Sequence, residues 1–180
     1  MTKPQRVAVY SAAFDRAPGV SHRLLRQAAA QYAPGQADLT LAVGPHGKPY
    51  FLHAPQLHFS ISHSGRRWLC AFSDAPVGLD VQQHRVCQRQ ALARRFFSPA
   101  EQLFLEQRAY APFFDLWCAK ESYLKYTGEG LSGLEAVCTV SPEGTFPSVP
   151  GVSLKLLFPF AGYSACVCTA APAQLLVRPL

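Results

Sequence analysis

Short alternating or apolar runs, separated by turn residues, fill most of the first 80 positions, with one helical stretch among them. RVAVY (residues 6–10) predicts a first strand. SHRLLRQAAAQYAPG predicts the helix, with Ser21 as N-cap and Pro34-Gly35 as its stop. LTLAV (39–43), LHFSIS (57–62), WLCAF (68–72) and VGLDV (77–81) read as strands, punctuated by PHGKP and SDAP. From about Cys87 the spacing turns helical. FSPAEQLFLEQ carries a capping box, with Ser98 at N-cap, Pro99 at N1 and Glu101 at N3. A further helix runs from about Pro112 to Tyr126, where TGEG stops it. LEAVCTV (134–140), VSLKLLF (152–158), YSACVCT (163–169) and QLLVRPL (174–180) return to strand patterns.

Strand, helix and strands thus occur twice, about a break near Pro76. The expected fold class is α+β in one compact unit, a first half over residues 1–75 and a second over 76–180, with no residue-level repeat. Of the 180 residues 49% are apolar and only 16% charged, which supplies a packed interior and excludes a disordered chain. The formal charge of +6 calls for an anionic partner. No run of Lys and Arg reaches five, so there is no polybasic tail. The six cysteines form no CxxC pair and no Cys/His cluster of zinc-finger spacing, and read as reduced, mostly buried thiols. The opening MTKPQRVAVYSAAF lacks the features of a secretory signal and no apolar run reaches membrane-span length, so the expected location is the cytoplasm.

Candidate chemistry lies in four places. In GLDVQ, Asp80 and Gln82 project to one face of a strand, and a carboxylate on an otherwise apolar strand needs a partner or a metal. In FSISHSGRRW, small polar groups and free N–H groups around Ser62 and His63 can hold a phosphate oxygen, or form an ordinary polar turn. Lys48, in GPHGKPYF, can reach an anion or stay solvated. In WCAKESYLKYTGEG, Trp117, Glu121 and Lys125 share a helix face. A Glu–Lys pair at that spacing also stabilises an isolated helix by roughly 0.2–0.5 kcal/mol with no function at all. Capping alone accounts for Ser98 and Glu101.

Taken together and in order, GKPYF, FSISHSG, CAF, GLDVQ, RFFSPAE and WCAKESYLKYTGEGL resemble the Sfp-type 4′-phosphopantetheinyl transferases over most of Gly47 to Leu131, and GYSACVCTAAP resembles that family's final strand region. The resemblance implies a pseudo-twofold pair of similar α+β lobes with the active site in the cleft between them. It implies Mg²⁺-dependent transfer of the phosphopantetheine arm of coenzyme A to a serine of an apo acyl or peptidyl carrier protein, releasing 3′,5′-ADP. Asp80 and Glu121 match the metal-binding acids, and Glu121 also matches the general base of some members. Lys125 matches the lysine on the pyrophosphate. Lys48, Ser62 and His63 match coenzyme A contacts, and Arg23, in SHRLL, resembles a further basic contact.

Two departures stand out. Gln82 takes the place of a third acid, bringing an amide but no charge, so a weaker grip on the metal is expected. The stretch between the first strand and Ser21 lacks a basic segment, leaving Arg16, Arg66 or Arg67 as substitutes, or a weaker hold on the 3′-phosphate. Residues 83–110, with Arg85, Arg89, Arg94, Arg95, Phe96 and Phe97, correspond to a region that helps to dock the carrier; core packing is the competing role for the two phenylalanines. A monomer is expected, because both lobes sit in one chain. Two other readings compete: a non-catalytic relative that binds carrier or coenzyme A, and a basic nucleic-acid-binding domain. The second lacks any RNP, KH or helix-turn-helix signature, so no nucleic acid is expected as partner.

Overall fold

Residues 5–130 and 133–180 are described by a computed structural model, in which helices and strands alternate much as the hydrophobic pattern requires. Leu131, at the end of the motif quoted above, lies outside them. The elements are β1 (Arg6–Ala13), α1 (Val20–Tyr32), β2 (Leu41–Val43), β3 (Pro49–Phe51), β4 (His58–Ser64), β5 (Arg67–Ser73), β6 (Val77–Gln83), α2 (Arg89–Phe96), α3 (Pro99–Glu106), α4 (Phe113–Thr127), β7 (Ser153–Leu157), β8 (Tyr163–Thr169) and β9 (Gln174–Pro179). One sheet has the order β4-β5-β1-β9, a second β6-β8-β7, and β2 and β3 form a small hairpin. The class is mixed α and β.

Strand alternation sorts the core into layers. On one face of the first sheet Tyr10, Phe59, Trp68 and Phe72 pack with Leu25, Ala28 and Ala29 of α1. On its other face Val7, Val9, Leu69 and Ala71 meet Leu79, Val81, Ala165 and Val167 of the second sheet. The far side of the second sheet carries α4, where Cys118 and Ala119 pack on Cys166. α2, α3 and the start of α4 share an aromatic cluster around Phe97, Phe104, Phe113 and Phe114. Among the described residues no helix is long and apolar enough to cross a membrane.

Gly78 sets how closely α4 approaches β6. A Cβ there would overlap the carbonyl oxygen of Ser122 in α4, so the glycine of GLDVQ lets the helix backbone rest directly on the strand. Gly128, with φ 80°, supplies the left-handed C-cap that ends α4 where TGEG was expected to. The capping box at Ser98 forms as expected, with both reciprocal hydrogen bonds present.

Two expectations need correction. The N-cap of α1 is Gly19, in left-handed conformation, not Ser21; Ser21 lies inside the helix, where its Oγ accepts a hydrogen bond from the Trp68 indole at 2.9 Å. Residues 134–140 do not form a strand. Their backbone is partnered by side chains instead: the Val137 carbonyl accepts from Lys120, and the Thr139 N–H donates to Glu101. The last strand crosses back to the first sheet. β9 leaves the second half and pairs in parallel with β1, Val7 opposite Leu175 and Val9 opposite Val177. All six cysteines are free, four of them buried.

Candidate active site

β4 and β6 meet through side chains. Ser60, Ser62 and Ser64 alternate along β4 and face the second sheet. Their hydroxyl oxygens accept from the backbone N–H groups of Leu79, Val81 and Gln83 at 2.9, 3.2 and 3.0 Å. The serines therefore stand where strand carbonyls would stand and satisfy the free edge of β6. This is the structural content of the SISHS stretch. The sequence leaves this junction open between a phosphate-holding loop and an ordinary polar turn, but the i, i+2, i+4 serine spacing is itself a sign of a polar strand face.

Asp80 sits in this seam, 1% exposed. Its Oδ1 accepts from the Ser62 hydroxyl and from the Lys125 ammonium, both at 2.7 Å, and its Oδ2 accepts from the Gln82 amide nitrogen at 3.1 Å. Gln82 turns its oxygen the other way, accepting from Ser64 Oγ at 3.4 Å. Lys125 comes from α4, one turn beyond Glu121, so the helical spacing does place both beside Asp80.

Glu121 accepts the Trp117 indole N–H on Oε1 at 2.6 Å and lies within hydrogen-bonding reach of Asp80. Burial, and then the Asp80 charge, push its carboxyl up from 4.5 to about 7, against the opposing pull of Lys125 and the indole. A carboxyl that titrates near neutrality can accept a proton under physiological conditions.

Two cavities flank this group and share Ile61, Glu121 and Lys125. One, of about 360 Å³, has Ser62, His63, Asp80 and Gln82 in its wall. The other, of about 270 Å³, is lined by Phe59, Leu124, the Lys48 side chain and the β2–β3 turn. His63 stacks on Phe14 with ring centroids 4.5 Å apart. Burial, followed by the charges of Lys125 and Arg16, lowers its pKa, so it is a neutral imidazole beside a cationic region. The Lys48 ammonium donates to the carbonyls of Tyr126 and Val77 at 3.3 and 3.5 Å, at the C-terminal end of α4, and burial lowers its pKa. Arg23 is not brought together with these residues; it lines a separate groove with His22, Arg26 and Leu41. In the stretch expected to help dock the carrier, Phe97 is buried at 5% exposure, while Phe96 is half-buried between the Trp117 ring and the Arg95 guanidinium.

Residues 76–167, which contain Asp80, Glu121 and Lys125, match the family model of the 4′-phosphopantetheinyl transferase superfamily. The chain belongs to this superfamily. The 4′-phosphopantetheinyl transferase Sfp of Bacillus subtilis (strain 168) is 39% identical over 108 residues, covering 57% of this chain and 47% of that protein. The 4′-phosphopantetheinyl transferase psf-1 of Bacillus pumilus is 40% identical over 105 residues, 56% of this chain and 45% of its own. The 4′-phosphopantetheinyl transferase AcpT of Salmonella typhi is 33% identical over 141 residues, 75% of this chain and 69% of its own. The chain thus spans about half the length of the Bacillus relatives. The donor set of Asp80 and Glu121 suits a hard cation. Two adjacent carboxylates, one of them raised by burial and then by the other's charge, are the oxygen donors a divalent ion prefers. Among the described residues no group of three His, Cys, Asp or Glu gathers to cage a metal. Gln82, an amide, stands beside Asp80 on β6.

Proposed function

We propose that this chain transfers the 4′-phosphopantetheine arm of coenzyme A to a serine of an apo acyl or peptidyl carrier protein, and releases 3′,5′-ADP. The observation that carries this reading is the meeting of Asp80, Glu121 and Lys125 at the seam of β4, β6 and α4, between two cavities. The carrier serine oxygen bonds to the phosphorus of the arm. The bond from that phosphorus to the bridging oxygen breaks, and the electron pair leaves with 3′,5′-ADP. Glu121 takes the serine proton, as its position and raised pKa allow. Lys125 neutralises charge on the diphosphate, which is most of what phosphoryl transfer asks of a protein. Asp80 and Glu121 would hold Mg²⁺ with Gln82 as a neutral neighbour. The ion supplies further neutralisation of the phosphate oxygens when bound. His63, Ser62 and Lys48 border the two cavities and are read as coenzyme A contacts, with Arg23 as an outlying basic group.

The helix-on-sheet unit occurs twice, α1 on the first sheet and α4 on the second, which supports a pseudo-twofold pair of lobes divided near residue 76 with the site between them. Both halves lie in one chain, which supports action as a monomer. Coenzyme A as donor and six free thiols fit a reducing, cytoplasmic setting.

Intact-mass spectrometry tests the reading. An apo carrier protein incubated with this chain, coenzyme A and Mg²⁺ is expected to gain the mass of one phosphopantetheine arm. The gain should vanish with EDTA and with Glu121→Ala. No gain with fatty-acid, polyketide and peptide carriers alike would overturn the transfer.

A further inference from the structure

We infer that the buried Glu101–Lys120 pair is a positioning device for Glu121, fixing the rotation of α4 about its own axis. The inference rests on the transfer reading for its consequence, not for its geometry. Both side chains are fully buried. The Lys120 ammonium donates to Glu101 Oε2 at 2.7 Å and to the Val137 carbonyl at 2.5 Å, and lies 5.1 Å over the Phe97 ring. Glu101 also accepts from the Ser98 N–H on Oε2, and from the N–H and hydroxyl of Thr139 on Oε1, each at 2.8 Å. The start of α3, the middle of α4 and residues 137–139 are thereby tied at one point.

Burying such a pair is a poor way to gain stability, because apolar residues of similar volume often do as well or better. What a saturated charge pair adds here is direction. Lys120 precedes Glu121, so on a helix it points about 100° away from it. Lys120 anchors one side of α4 to α3 while Gly78 lets the Ser122 region seat closely on β6. With both anchors in place the helix has one rotational setting, and Glu121 meets Asp80 in that setting. A roll of about 10° moves a group at the helix surface by about 1 Å. Such a misplacement costs on the order of 100-fold in rate.

The chain carries its own reporter. The Trp117 indole donates to Glu121, whereas the Trp68 indole donates to Ser21 in the first half. The double variant Glu101→Gln with Lys120→Met removes both charges and keeps an acceptor for Thr139. Its ¹H–¹⁵N indole signal from Trp117 is expected to move while that of Trp68 stays. Transfer kcat is expected to fall by about 10- to 100-fold with KM for coenzyme A unchanged. Thr139→Val, which removes one donor to Glu101, should move Trp117 in the same direction by less. It decides the matter if the double variant does not fold. A Trp117 signal that stays in place, or a kcat at the wild-type level, overturns the inference. If the wild-type chain transfers nothing, the transfer reading fails on its own, and the Trp117 signal still decides whether the pair positions Glu121.

Discussion

Glu121 combines burial, a neighbouring carboxylate and a nearby ammonium, and the balance leaves its carboxyl raised to about 7 in the metal-free protein. The folded chain then keeps a proton that the unfolded chain has released above pH 4.5. The stabilisation is complete below that pH and is lost as pH rises through about 7. Glu121→Gln is neutral throughout and has no such loss. In EDTA, the stability of this variant relative to wild type should therefore rise between pH 5 and pH 8, by roughly 2–3 kcal/mol. Urea titrations at the two pH values measure it. Parallel behaviour of the two proteins would show that Asp80 and burial do not raise Glu121 as described. His58 and His63 are shifted down and act with the opposite sign, but they are common to both proteins and cancel in the difference.

At the scale of elements, the serine face of β4 replaces a strand partner for β6. Ser60 is 5% exposed, and its oxygen is the acceptor for the Leu79 N–H. Ser60→Ala leaves that N–H buried without a partner and should cost about 1–3 kcal/mol. Thermal or urea unfolding of the variant checks this, and a loss below a few tenths would mean that water or another group serves β6. Capping box, glycine stop and strand alternation were legible because each is a local rule. The helix face shared by Glu121 and Lys125 was legible for the same reason. What they face follows only from the family resemblance, since Asp80 lies 45 residues from its bonded Lys125. The same limit explains residues 134–140. Their alternation is strand-like, yet a buried lysine and glutamate from α4 and α3 occupy their hydrogen-bonding groups. Glu101 looked complete as a capping residue. Its second oxygen, taken by Thr139, joins that cap to a segment 38 residues away. Ser21 is not the N-cap because the helix begins one residue earlier, at Val20 behind Gly19, and the Ser21 oxygen instead accepts from the Trp68 indole, 47 residues away.

Among the described residues, an apolar layer, a serine seam and a crossing strand hold the two halves together. The apolar layer joins Val7, Val9, Leu69 and Ala71 to Leu79, Val81, Ala165 and Val167. The serine seam joins β4 to β6, and β9 carries the end of the described chain back to β1. Neither half can unfold without exposing the apolar layer of the other and leaving the N–H edge of β6 without its serines. The two halves should therefore unfold as one cooperative unit. Each contains one tryptophan, Trp68 in β5 and Trp117 in α4, so the indole signals report them separately without mutation. In a urea titration both native signals are expected to vanish with the same midpoint and the same slope. Trp117 disappearing while Trp68 persists would mean that the helical layer opens first, and that β9 and the seam do not couple it to the first sheet. The catalytic reading depends on this coupling, because Ser62 comes from the first half and Asp80, Glu121 and Lys125 from the second. A chain whose halves separated at low urea would lose the 2.7 Å Ser62–Asp80 bond before any strand melted, and with it the setting of the carboxylate that Lys125 and Glu121 share.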